Sequence, residues 1–193
     1  CPSSKTSPSG SDESSDCYDV CSAGEYMSGG SCVGCPSGES SPVGSVAASA
    51  CQACVAGTYS LSGTCAQCSA GKYNVHCGSA SSTACKNCGA GKFKGLSAQD
   101  AESDCDACPG GQYSGTAGAA NCETCSTGKY SSATSAATSC LDCPSSGDTS
   151  QSGSASSSDC YLDCPVGSYL NGAACAECPA NTYQPSTGVT SAT

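Results

Sequence analysis

The chain has 193 residues, of which 22 are Cys and 24 Gly, with no Trp, Ile or Arg. Leu, Val, Phe and Met together supply 15 residues, too few to build an ordinary hydrophobic core, so covalent cross-links must replace apolar burial and a large buried-core enzyme is not expected. The net charge of −10, from 16 acids against six Lys, leaves no basic stripe for nucleic acid and disfavours an anionic membrane surface.

No apolar run approaches the ~20 residues of a membrane span. The chain opens on Cys1-Pro2-Ser3-Ser4, with no signal peptide in view. In chain order the cysteines fall into pairs. Cys17/Cys21 is a C-x-x-x-C pair, followed by C-x-x-C pairs at Cys32/Cys35, Cys51/Cys54, Cys65/Cys68, Cys85/Cys88, Cys105/Cys108, Cys122/Cys125 and Cys140/Cys143. A second C-x-x-x-C pair at Cys160/Cys164 and a last C-x-x-C pair at Cys175/Cys178 complete the series, leaving Cys1 and Cys77 outside it. The pairs recur every 14 to 20 residues, which marks a tandem repeat.

Five residues after the second cysteine of a pair stands an aromatic: Tyr26, Tyr59, Tyr73, Phe93, Tyr113, Tyr130, Tyr169 or Tyr183. Two residues before it stands Gly24, Gly57, Gly71, Gly91, Gly111, Gly128 or Gly167, with Asn181 in the last unit. The remaining aromatics, Tyr18 and Tyr161, each follow the first cysteine of a C-x-x-x-C pair. Each G-x-Y-S segment predicts a short strand entered through a glycine turn and paired with residues near the next cysteine. Closely spaced Gly, Ser and Cys break any 3.6-residue apolar period, so almost no helix is expected. The predicted fold is a set of small, disulfide-rich β-hairpin modules stacked end to end into a solenoid-like rod, with the aromatics covering adjacent disulfides.

A longer period lies above the short one. Residues 143–178 echo 1–35: Cys143-Pro144-Ser145-Ser146 matches the opening residues, and Asp159-Cys160-Tyr161 matches Asp16-Cys17-Tyr18. On this reading residues 1–142 form a first long repeat and 143–193 the truncated start of a second. The offset would put the partner of Cys51 at position 194, so an internal piece of a longer repetitive protein is expected.

Parity and spacing favour a ladder in which the second cysteine of each pair bonds to the first of the next. The bonds are then Cys1–Cys17, Cys21–Cys32, Cys35–Cys51, Cys54–Cys65, Cys68–Cys85, Cys88–Cys105, Cys108–Cys122, Cys125–Cys140, Cys143–Cys160 and Cys164–Cys175. Interlocked bonds between neighbouring pairs remain an alternative. A loop of about 15 residues is worth roughly 3 kcal/mol in loop-closure entropy. Cys178 is unpaired in this arrangement. Cys77 falls inside the Cys68–Cys85 loop beside His76, the only histidine, and is a candidate for a bond to another chain, against a free thiol or an internal rearrangement.

Other chemistries are weaker. Two C-x-x-C pairs can form a zinc ribbon, but here the pairs run on without grouping into twos, and structural disulfides are the expectation. His76 has no scaffold around it that would build a triad. No catalytic, cofactor or metal residues are therefore assigned. Asp100, Glu102, Asp104 and Asp106 would share one face of an extended strand, where a Ca²⁺ site is conceivable and a solvated acidic face the expectation. No Asn-x-Ser/Thr sequon occurs. The Ser/Thr-rich loops 131–139 and 147–158 suit O-linked sugars by composition.

With C-P-x-G-x-Y and C-x-x-C in place, the chain resembles ephrin-receptor-like cysteine-rich repeats, best at Cys108-Pro109-Gly110-Gly111-Gln112-Tyr113-Ser114 and Cys164-Pro165-Val166-Gly167-Ser168-Tyr169. Such repeats occur in many surface proteins, including the immobilisation antigens of ciliates. The chain is also similar to the first loop of tumour-necrosis-factor-receptor modules, a likeness that supports the ladder pairing. The units at Cys1 and Cys143 lack both the Gly and the aromatic, and Ser40 stands where Tyr is expected; these loops are expected to be local joints. The resemblance implies an extracellular or cell-surface location. Two functions follow as expectations: a non-catalytic structural protein that self-associates into a coat or filament, or the ectodomain of a receptor or adhesin for a protein ligand. The second would need exposed aromatic or Arg anchors, and the repeat uses every aromatic.

Overall fold

The computed structural model describes residues 1, 5–7, 9–14, 17–132, 136–145, 148–171 and 174–183. These form ten two-stranded antiparallel hairpins and, among the described residues, no α-helix. In order they are β1 (Lys5–Thr6) with β2 (Tyr18–Asp19), β3 (Glu25–Ser28) with β4 (Ser31–Gly34), β5 (Glu39–Ser40) with β6 (Gln52–Ala53), β7 (Thr58–Leu61) with β8 (Thr64–Gln67), and β9 (Lys72–Tyr73) with β10 (Lys86–Asn87). Then come β11 (Lys92–Phe93) with β12 (Asp106–Ala107), β13 (Gln112–Tyr113) with β14 (Glu123–Thr124), β15 (Lys129–Tyr130) with β16 (Leu141–Asp142), β17 (Asp148–Thr149) with β18 (Tyr161–Leu162), and β19 (Ser168–Asn171) with β20 (Ala174–Glu177). In seven hairpins the outgoing strand lies in the predicted glycine-to-aromatic segment. In the two-residue hairpins the returning strand is the first two residues after the leading cysteine of a C-x-x-C or C-x-x-x-C pair.

Loop length sorts the modules into two kinds. Where the disulfide spans 11 residues, as at Cys21–Cys32, Cys54–Cys65 and Cys164–Cys175, each strand has four residues. The first two of these hairpins turn through two left-handed residues, Gly29-Gly30 and Ser62-Gly63, which matches the twist of the flanking strands. Where the disulfide spans 14 to 17 residues, the strands shrink to two residues and a longer loop returns. In four of these loops a three-residue 3₁₀ turn precedes the cysteine, at Ala48–Ala50, Ser82–Ala84, Glu102–Asp104 and Ser157–Asp159.

The units at Cys1 and Cys143 are not joints. Both form the same hairpin as the rest, with Thr6 opposite Tyr18 and Thr149 opposite Tyr161. The aromatic has moved to the returning strand, directly across from the position it holds elsewhere. Ser40 likewise pairs with Gln52. Hairpin pairing is a backbone property, so a missing ring on one strand does not abolish it.

Hairpins this short are not stable alone, and each leans on the next. The chain divides into two compact units, one of residues 1–88 with 94–105 and one of residues 89–93 with 106–193. Within the first, the entry-glycine N–H donates to a carbonyl of the following module, Gly24 to Ser41, Gly57 to Asn74 and Gly71 to Lys94, at 2.7–2.9 Å. Within the second, Gly91 donates to Ser114, Gly111 to Ser131 and Gly128 to Ser150, at 2.8–3.1 Å. Loop tips reach one module further. A Cβ built on Gly57, whose φ is +81°, would lie 2.3 Å from the carbonyl oxygen of Ala98, and equivalent approaches join Gly24 to Gly63, Gly38 to Gly78, Gly91 to Ala136 and Gly111 to Gly153. Glycine is required there twice over, by backbone angle and by space.

The buried apolar set is almost entirely cysteine: Cys21, Cys54, Cys68, Cys88, Cys105, Cys108, Cys125 and Cys164, with Tyr73 and Ala137. Tyr73 clusters with Cys88 and Cys105, so this ring covers the disulfide of the next module. The other aromatics are half-buried, apart from the exposed Tyr183.

Gly57→Ala should therefore lower stability by at least about 1–2 kcal/mol, the cost of a left-handed non-glycine residue alone. Gly34→Ala, where a Cβ meets nothing within 4 Å, should leave the thermal midpoint nearly unchanged. Paired thermal melts of the two variants check the contrast.

Candidate functional site

The disulfides in the structure link Cys1–Cys17, Cys21–Cys32, Cys35–Cys51, Cys54–Cys65, Cys68–Cys85, Cys88–Cys105, Cys108–Cys122, Cys125–Cys140, Cys143–Cys160 and Cys164–Cys175. Two cysteines stand outside them, the exposed Cys77 and the half-buried Cys178. Cys77 occupies a loop-tip position that is Ser62, Ser97 and Ser152 in other modules, each followed by a left-handed residue. The Gly78 backbone behind it is held in the seam, with its N–H donating to the carbonyl of Cys54 at 2.7 Å. The thiol is thus presented on a fixed loop.

The seam between modules carries a second set of bonds that the sequence reading left unassigned. In five modules the residue after the aromatic position is a buried Ser or Asn, and in four of them it donates to the carbonyl of the strand in the preceding module. Ser41 donates to Glu25 at 2.8 Å, Asn74 to Thr58 at 2.9 Å, Ser131 to Gln112 at 2.7 Å and Ser150 to Lys129 at 2.9 Å. Ser60 makes the same contact with Glu39 at a longer 3.3 Å. Ser114 is buried too but turns its hydroxyl to Thr116. The signal was in the repeat itself, as the Ser of G-x-Y-S.

Asn74 is the most heavily used of these residues. Fully buried, it also donates to Ser79 Oγ at 2.9 Å and accepts from the His76 N–H at 3.1 Å. His76 is exposed and lies in the turn that Asn74 anchors. The hydroxyls of Ser131, Ser150 and Ser154 are buried and bonded, which removes them as sugar acceptors from the two loops singled out by composition. Residues 133–135 and 147 of those loops lie outside the described residues.

The alternating acids do not share a strand face. Glu102–Asp104 is a 3₁₀ turn and only Asp106 enters a strand. The Asp104 carboxylate accepts the N–H groups of Asp100 and Ala101 at 3.2 and 3.1 Å, so it closes its own turn, as Asp159 does with Ala155 and Ser156. Short-range capping by Asp outcompetes extended backbone here. Among the described residues no three His, Cys, Asp or Glu side chains gather into a metal-sized group. Burial of the Tyr73 ring, with the charge and hydrogen bond of Glu102 beside it, raises that phenol above its ordinary value.

Two open clefts fall at equivalent positions in the repeat. One, of about 310 Å³, is lined by Tyr113, Thr124, Ser126, Lys129, Ser139 and Cys140. The other, of about 170 Å³, is lined by Tyr59, Gln67, Ser69, Lys72, Ser82 and Cys85. In the larger, Tyr113 donates to Glu123 at 2.7 Å and Lys129 pairs with Asp142. That hydrogen bond, with the Glu123 charge and some burial, raises the Tyr113 phenol.

Asn74→Ala should cost about 1–3 kcal/mol, because it leaves the His76 N–H and the Thr58 carbonyl without their partner; chemical denaturation with the disulfides intact measures it. Tyr73 and Tyr113 favour the neutral phenol in the folded state. Their contribution is therefore present below pH ~10 and lost as pH rises through their elevated folded values. Phenolate absorbance of the thiol-alkylated chain should show two late-titrating tyrosines, and Tyr73→Phe and Tyr113→Phe should each remove one.

The family described as tyrosine-protein kinase ephrin type A/B receptor-like matches residues 111–160. No curated protein matches the chain. The matched stretch runs from the Gly111 entry turn to Cys160, about a quarter of the chain, and over it the protein is similar to ephrin-receptor-like cysteine-rich domains.

Proposed function

We propose that the protein is an extracellular, non-catalytic structural protein whose repeats run on as a rod in a cell-surface coat or filament, in the manner of ciliate-type surface antigens. The seam between modules supports this reading most. Six of the seven entry glycines and most post-aromatic hydroxyls are committed to the neighbouring module, so the repeat spends its polar groups on continuing itself. An array whose modules contact only near neighbours can lengthen without a new core. The ten disulfides suit an oxidising, extracellular setting. The long period, 1–142 and then 143–193, would repeat the same array.

Cys77, on its fixed exposed loop, would staple copies together. Exposed hydroxyls such as Thr83, Thr138 and Ser157 are acceptors for O-linked sugars. The alternative, the ectodomain of a receptor or adhesin, is favoured by the description of the family matched at 111–160.

Electron microscopy of the native chain should show self-associated fibres, and a non-reducing gel should show a covalent dimer that Cys77→Ser abolishes. Fibres of Cys77→Ser indistinguishable from wild type would remove the staple and keep the structural role. Dispersed monomers at every concentration, with tight capture of one protein ligand, would favour the receptor.

A further inference from the structure

The two equivalent clefts differ at the positions that decide what they bind. In the larger, the cross-strand partner of Tyr113 is Glu123 and that of Lys129 is Asp142. Both carboxylates are used, one on the phenol and one on the ammonium. In the smaller, the same register puts Ala66 across from Tyr59 and Asn87 across from Lys72. The ring, the ammonium and one flanking serine are retained, Ser69 for Ser126, and Ser82, three residues before Cys85, supplies a second hydroxyl as Ser139 does beside Cys140. What the smaller cleft lacks is the pair of carboxylates. The larger cleft is therefore an internal record of the chemistry that this constellation accepts.

The charge of the chain is distributed to match. Residues 40–99 carry four Lys and no Asp or Glu, whereas residues 100–193 carry ten acids and one Lys. The overall charge of −10 hides this segregation. A cationic stretch beside an acidic one on the same chain steers two copies into a staggered encounter, and a single buried charge pair need not supply the affinity.

We infer that the Tyr59–Lys72 cleft receives a carboxylate side chain from the acidic stretch, residues 100–177, of a second copy of this chain. Lys72 supplies the charge, Tyr59 and the two serines the hydrogen bonds. The cleft volume of about 170 Å³ admits one such side chain. A contact of this kind is heterologous, since the surface that gives differs from the surface that receives, and it propagates. It rests on the self-association proposed above and names the contact that makes it.

Sedimentation velocity of the full chain, its free thiols alkylated, tests this. Association should weaken as salt rises from ~0.01 M to ~0.15 M, where the screening length falls from ~30 Å to ~8 Å. Asn87→Asp gives Lys72 the cross-strand carboxylate that Asp142 gives Lys129, and should weaken association about two- to fivefold without lowering the thermal midpoint. Lys72→Gln should do the same by removing the cation. Assembly that ignores both salt and Asn87→Asp would overturn this contact and leave the structural role standing. A chain monomeric at every concentration would overturn both. A monomer whose Lys72 and Asn87 resonances move with glucuronate would overturn the second copy as occupant in favour of an acidic saccharide.

Discussion

Each hairpin in this protein is too small to bury anything, and the constraint on which the rest depends is the approach of one backbone to the next through glycine. At Gly57 the carbonyl oxygen of Ala98 occupies the space where a Cβ would be. A side chain at these entry positions would hold the modules apart and break the N–H to carbonyl bonds between them. The disulfides act on a different quantity. They restrict the unfolded chain and close each loop, but they do not choose how one loop meets another. That choice belongs to the glycine turn and to the small buried residue after the aromatic.

The seam explains an odd feature of the composition. A chain with so few large apolar residues has little hydrophobic driving force, and sulfur takes over as its buried apolar material. The polar side chains that enter the interior are small and fully bonded: no buried side-chain nitrogen or oxygen among the described residues lacks a partner. Ser and Asn fit because they reach a carbonyl without filling volume that the seam does not have. Where the repeat departs, as at Phe93-Lys94, no Ser or Asn stands at the stitch, yet the Lys94 carbonyl still accepts from Gly71. The backbone bond is the more general of the two.

Repetition also lets one module interpret another. The same strand register that pairs Lys129 with Asp142 pairs Lys72 with Asn87, so a single acid-to-amide difference changes a closed ion pair into an available cation. Differences of this kind set the surface while the seam stays constant. Cys77 is a second example, a thiol where other modules place serine.

The repeat, the hairpins and the paucity of helix were legible in the sequence because cysteine spacing, entry glycine and aromatic recur in one register. Two expectations failed for physical reasons. The units at Cys1 and Cys143 form ordinary hairpins because pairing is made by backbone, and Tyr18 and Tyr161 supply the ring from the opposite strand. The acids from Asp100 to Asp106 do not line a strand, because Asp104 caps a 3₁₀ turn. The sequence by itself determined the module: its ends, its turn and its ring all follow from local chemistry within about twenty residues. Only the tertiary structure decided what Gly57 and Ser131 are for, and which of two similar lysines already has a carboxylate. The first depends on residues one or two modules away, brought close by stacking that no local preference encodes, and the second on the cross-strand register inside each hairpin.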